Sequence, residues 1–146
     1  MINNNLKSCR EDLEMTQEEL GIILGASKQT ISGWETGYIP IPINKLVRFC
    51  NLYNYSIDYV CGLSKTGKKN FNKVKLDKNV IGANLKALRK KLNITQQKLA
   101  DKCNLYQTTY NHYETGYSLI KIMPAYSICK TYNISMDSLL GRKKDN

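Results

Sequence analysis

Two short polar runs, Ser27-Lys28-Gln29 and Tyr106-Gln107-Thr108, stand 79 positions apart, and each continues a turn later in Ser32-Gly33 and Asn111-His112. These side chains suit recognition rather than bond making, since a glutamine amide can pair bidentately with adenine and a lysine ammonium donates to guanine. Covalent chemistry finds little to work with. The one histidine, His112, has no Ser or Cys nucleophile at a telling spacing, no glycine-rich phosphate loop is present, and paired acids fall only on positions expected to be exposed. Cys9, Cys50, Cys61, Cys103 and Cys129 are odd in number and lack the close pairs of zinc or redox motifs. They are expected to be buried as small hydrophobes. Neither an enzyme nor a cofactor, metal or small-molecule site is therefore expected.

The polar runs belong to a longer repetition. Residues 2–62 and 81–141 align without a gap, and 22 of the 61 pairs are identical. The identities include Arg10 with Arg89, Thr16-Gln17 with Thr95-Gln96, and Glu35-Thr36-Gly37-Tyr38 with Glu114-Thr115-Gly116-Tyr117. A unit of this length exceeds the roughly 20 to 50 residues of stacked solenoid repeats, so each copy should fold around its own core, near the lower size limit for doing so. The sequence divides into a first domain at 1–62, a linker at 63–79, a second domain at 80–142 and a tail at 143–146.

Charge separates the copies. The chain carries a net +10. Residues 1–62 hold five Lys/Arg against seven Asp/Glu, the linker six against one, and residues 80–146 eleven against four. A basic protein of this size has polyanions as its first candidate partners, and lysines scattered over a helical domain favour nucleic acid over a membrane face. No run of 18 apolar residues exists, and Met1-Ile2-Asn3-Asn4-Asn5 carries no basic region followed by an apolar stretch. A soluble, cytoplasmic protein is expected.

The elements that would position the polar runs are helices. In the first copy Leu6, Cys9 and Leu13 recur at helical spacing, with Asn3 to Asn5 as candidate caps. Thr16-Gln17-Glu18-Glu19 reads as a capping box opening a second helix through Leu20, Ile23 and Leu24 to Gly25, a residue suited to a left-handed helix end. Asn104 takes that place in the second copy. After the turn at Ala26-Ser27 a third helix runs from Lys28 to Thr36, with Ile31 and Trp34 inward and Ser27, Lys28, Gln29, Ser32 and Gly33 outward. Gly21, paired with Ala100, is small where the second and third helices are expected to touch. Ile43, Leu46, Val47 and Cys50 mark a fourth helix after Pro40 and Pro42, and Ser56 caps a short fifth ending at Gly62. The expected fold is all-α, with five helices per copy and a helix-turn-helix unit in each, near 17–36 and 96–115.

Thr16-Gln17-x-x-Leu20, Ile31-Ser32-x-Trp34-Glu35-x-Gly37 and Ser56-x-Asp58 resemble the λ-repressor/Cro-type helix-turn-helix family, over about 120 residues of both copies. The second copy departs more: Thr95-Gln96-Gln97-Lys98 lacks the capping-box glutamate, Leu105-Tyr106 is bulky at the turn, and Tyr110 replaces Ile31.

The resemblance implies a bacterial or phage transcriptional regulator, most often a repressor, whose third helix enters the major groove of double-stranded DNA. Base-facing positions would be Ser27, Lys28, Gln29 and Ser32 in the first copy and Tyr106, Gln107, Thr108, Asn111 and His112 in the second. The sets differ throughout, so the copies should prefer different sequences. Gln17 and Gln96 would stand at a helix start where backbone amides meet a phosphate. Arg10 with Glu35, and Arg89 with Glu114, would tie the first helix to the end of the third. An alternative assigns DNA to the second copy alone and makes the acidic first copy, with Glu11, Asp12, Glu14, Glu18 and Glu19 clustered, a dimerisation or protein-interaction module. As a coil the 17-residue linker would span roughly 20 to 25 Å, and extended roughly 55 to 60 Å, against half-sites about 34 to 36 Å apart. Phe71, Val74 and Leu76 could instead dock on a domain. A monomer and a homodimer remain equally open.

Overall fold

A computed structural model describes residues 3–67 and 71–143. Lys68 to Asn70 of the linker and most of the tail read at 143–146 lie outside the described residues. The regular structure is all helical: α1 (Leu6–Asp12), α2 (Gln17–Leu24), α3 (Lys28–Thr36), α4 (Ile43–Tyr53) and α5 (Ile57–Val60), then α6 (Lys78–Leu92), α7 (Gln96–Lys102), α8 (Gln107–Glu114), α9 (Ile122–Tyr132) and α10 (Met136–Leu139). The two sets form separate compact units, the first reaching Phe71 and the second running from Asn72 to Lys143. No described helix is long and apolar enough to cross a membrane.

In the first unit local chemistry sets each boundary. Asn4, rather than Asn5, caps α1: its Oδ1 accepts the Leu6 N–H at 3.0 Å, while the Asn5 amide donates to the Tyr59 carbonyl. Thr16 and Glu19 form the reciprocal capping box at 3.1 Å in both directions. Gly25 ends α2 with φ of 70°, where a Cβ would be strained. Ser27 caps α3 and Ser56 caps α5 through the N–H groups of Thr30 and Tyr59. The apolar faces close over a core that includes Leu6, Cys9, Leu20, Leu24, Ile31, Trp34, Phe49 and Ile57, each at most 4% exposed. The reason for a small residue at Gly21 differs from the expectation. A Cβ there would collide first with the Ala26 carbonyl of the turn, and Ile31 of α3 lies farther off.

The second unit repeats this plan with one extension. Helix α6 begins two residues inside the segment read as linker, because Asp77 Oδ1 accepts the N–H groups of Asn79 and Val80 at 2.8 and 3.4 Å. Its register-equivalent, α1, is less than half as long. Gly82 lets α8 settle onto α6, since a Cβ at this position would sit 2.8 Å from the Tyr113 carbonyl oxygen. Thr95 still caps α7 through the Lys98 N–H without a glutamate partner, and Asn104 takes the left-handed conformation with φ of 58°. The fully buried Arg142 reaches Asp137 at 3.3 Å and the Asn72 carbonyl at 3.1 Å, fastening the start of the unit to its end. Of the apolar linker residues, Phe71 donates its N–H to Asn54 in the first unit, while Val74 and Leu76 are half-buried. All five cysteines are buried, outside any disulfide.

Candidate nucleic-acid interface

In both units a buried ion pair fixes the angle of the helix that carries the polar run. Arg10 Nε meets Glu35 Oε2 at 2.6 Å and Nη2 meets Oε1 at 3.2 Å, while Nη1 donates to the Met15 carbonyl at 2.7 Å. Three places are thereby joined: α1, the end of α3, and the turn before α2. Arg89 repeats the arrangement with Glu114 at 2.8 to 3.3 Å and with the Ile94 carbonyl at 3.1 Å. Burial alone would raise the Glu114 carboxyl. Hydrogen bonds from Arg89, with Tyr110 and Gln96 close by, outweigh it and hold the group below its ordinary range. Each arginine is held further toward its charged form by its glutamate.

At the start of α3, Ser27, Lys28 and Gln29 are exposed and Ser32 is half-buried. The Ser27 hydroxyl is engaged as the cap and meets Thr30 Oγ1 at 2.9 Å. Lys28 Nζ lies 3.9 Å from Glu18 Oε1, so an acid borders the reading end of this helix. Gly33 is not an outward position. The Ile39 side chain lies over it, with Cδ1 2.6 Å from where a Cβ would stand, because the loop after α3 folds back onto the helix. Gln17, expected at a phosphate, turns its amide to Glu35 Oε1 at 2.9 Å.

The equivalent glutamine in the second unit has other partners. Gln96 Nε2 donates to Asn111 Oδ1 at 3.0 Å, and Gln96 Oε1 accepts from Gln107 Nε2 at 2.7 Å. Three amides at the start of α7 and along α8 are thus joined in a chain. Tyr106 is 84% exposed, Thr108 is exposed, and Gln107, Asn111 and His112 are half-buried. The His112 ring packs against Tyr117 at 4.7 Å. Tyr110, in the place of Ile31, is fully buried, and burial raises its hydroxyl well above the usual tyrosine range.

Residue-type reasoning passed over Tyr38 and Tyr117, which are 82% and 72% exposed immediately beyond the glycines that follow α3 and α8. Their signal was available in the Glu-Thr-Gly-Tyr motif common to both copies, whose last residue is a large aromatic outside any helical apolar stripe. The acidic edge of the first unit is exposed at Glu11, Asp12, Glu14, Glu18 and Glu19. The same register in the second unit reads Lys90, Lys91, Asn93, Gln97 and Lys98.

A family model described as helix-turn-helix matches residues 6–60 and again 85–139, one match in each unit. Two Bacillus subtilis proteins are similar in sequence. An uncharacterized HTH-type transcriptional regulator, YobD, is 33% identical over 64 residues, which is 44% of this chain and 57% of that protein. The HTH-type transcriptional regulator ImmR is 32% identical over 69 residues, 47% of this chain and 54% of that one. The chain thus spans little more than half the length of either relative. Among solved structures, the clp gene regulator ClgR from C. glutamicum aligns with a TM-score of 0.42 and 21% identity, over 46% of this chain and 87% of that one.

Proposed function

The chain belongs to the helix-turn-helix family twice over, and from that premise we propose that it is a cytoplasmic, sequence-specific DNA-binding regulator of transcription, acting as a repressor, that inserts α3 and α8 into the major groove. The working division is a first domain at 1–62 and a second at 80–142. Ser27, Lys28, Gln29 and Ser32 face one set of base edges, and Tyr106, Gln107, Thr108, Asn111 and His112 another. Because the two sets differ, the preferred site is two unlike half-sites rather than a palindrome read by one chain.

The observation that carries this reading is the amide chain of the second unit. With one Nε2 hydrogen of Gln107 engaged by Gln96, its remaining N–H and its Oε1 are held together at the head of α8. One donor beside one acceptor is what the major-groove edge of adenine requires. Gln96 acts here as a positioning residue, and its own grip on Asn111 extends the order one turn along the helix.

A second reading has a specific observation in its favour. Glu18 beside Lys28, on an acidic edge where the second unit carries lysines, favours a first unit that binds protein, by dimerisation or with another partner, while only the second unit meets phosphates. Titrating the full-length chain at fixed salt with a bound duplex separates the two. Gln29→Ala and Gln107→Ala are each expected to weaken binding by about 1–3 kcal/mol, or about 5- to 150-fold, when both units read bases. An effect of Gln107→Ala alone selects the division of labour, and no effect of either removes the proposal.

A further inference from the structure

We infer that Lys75 and Lys78, at the head of α6, form a second anchor for the DNA backbone in the second unit, an inference that rests on the reading above. Lys75, Leu76, Asp77, Lys78, Asn79 and Leu119 line an open groove of about 470 Å³. Leu119 belongs to the loop that leaves α8, and the same loop meets α6 again at Gly116, where a Cβ would collide with the Asn79 side chain. The two lysines therefore flank the chain as it leaves the reading helix. Tyr117 and Lys121, both exposed, stand on that loop.

The chemistry of the groove suits a continuous polyanion. Its one carboxylate, Asp77, turns Oδ1 to the N–H groups of Asn79 and Val80 as the helix cap, and the two lysines outnumber it, so the groove stays net positive. Leu76 and Leu119 supply apolar surface for lysine stems, which lets the ammonium groups project to a phosphate. Lys75 and Lys78 are exposed, as a contact with a backbone running past the surface requires. The first unit has no counterpart on its equivalent loop, Ile39-Pro40-Ile41-Pro42, which carries no lysine where the second has Lys121. Backbone contacts of this kind add affinity and register without adding sequence preference.

The test compares full-length wild type with Lys75→Gln/Lys78→Gln, using a labelled duplex of the preferred sequence and a scrambled one across a range of salt. The double variant is expected to lower the slope of log K against log salt by about two, and to lose affinity by the same factor on both duplexes. Lys102→Gln/Lys130→Gln, an equal charge removed elsewhere on the unit, is expected to leave the slope unchanged. A wild-type slope in the first pair, or an equal fall in the second, overturns the anchor. If Gln107→Ala still weakens the preferred duplex while the slope ignores Lys75 and Lys78, the anchor alone falls. A chain that binds neither duplex takes both inferences with it.

Discussion

Arg10→Ala is expected to destabilise the first unit by about 3–5 kcal/mol, the cost of leaving a buried carboxylate without its partner. The Glu35 side chain is only 3% exposed and takes two hydrogen bonds from the guanidinium. Gln17 gives it a third, from a neutral amide that cannot offset the charge. The Met15 carbonyl would lose its donor in the same step. Total stability of a small domain is only about 5–15 kcal/mol, so much of the population would unfold under mild denaturant. Trp34, the single tryptophan and buried in this unit, reports the event directly: its fluorescence midpoint in urea should move far down. An unfolding free energy within a few tenths of a kcal/mol of wild type would show that the pair does not hold α1, α3 and the turn together.

Tyr110→Ala should damage the second unit to a similar extent, again by about 3–5 kcal/mol, as for other large aromatic truncations in a core. Its ring is fully buried among α6, α7 and α8, and its hydroxyl donates to the Leu85 carbonyl at 3.4 Å while lying beside the Arg89–Glu114 pair. Tyr110→Phe keeps the ring and gives up a long hydrogen bond, so it should cost about 0.5–1.5 kcal/mol. The contrast is read by amide exchange in α6 to α8: lost protection for alanine and near wild-type protection for phenylalanine. Equal losses in both variants would shift the weight from packing to the hydroxyl.

Tyr110 also marks how far the sequence could be read. Its swap for Ile31 was visible, but not that the larger ring would bring a hydroxyl to the buried ion pair, since Leu85 and Arg89 lie 25 and 21 positions away. What was legible is local. The Thr16–Glu19 box, the left-handed ends at Gly25 and Asn104, and the serine cap of α5 all close within a few residues, and each takes the form expected from residue type. The Arg10–Glu35 and Arg89–Glu114 contacts were within reach because the repeat states them twice. Side-chain direction was not. Gln17 and Gln96 occupy the same register, yet one turns to Glu35 and the other to Asn111 and Gln107, because residue 111 is asparagine where residue 32 is serine. Gly33 looked outward from helical spacing alone, and only the fold-back of Ile39 places it beneath a side chain. The early start of α6 was hidden by the repeat itself. Register with the shorter first helix points to a boundary at 80, whereas the Asp77 cap starts the helix at Lys78.

The central claim is that both units read DNA, and read it differently. Selection of bound duplexes from a random pool by the full-length chain, at a stated salt concentration, tests it most directly. The account predicts enrichment of two unlike half-motifs within one site, one of which collapses when the selection is repeated with Gln107→Ala and the other with Gln29→Ala. A single half-motif that only Gln107→Ala abolishes would contradict it and leave the first unit as a module for some other partner.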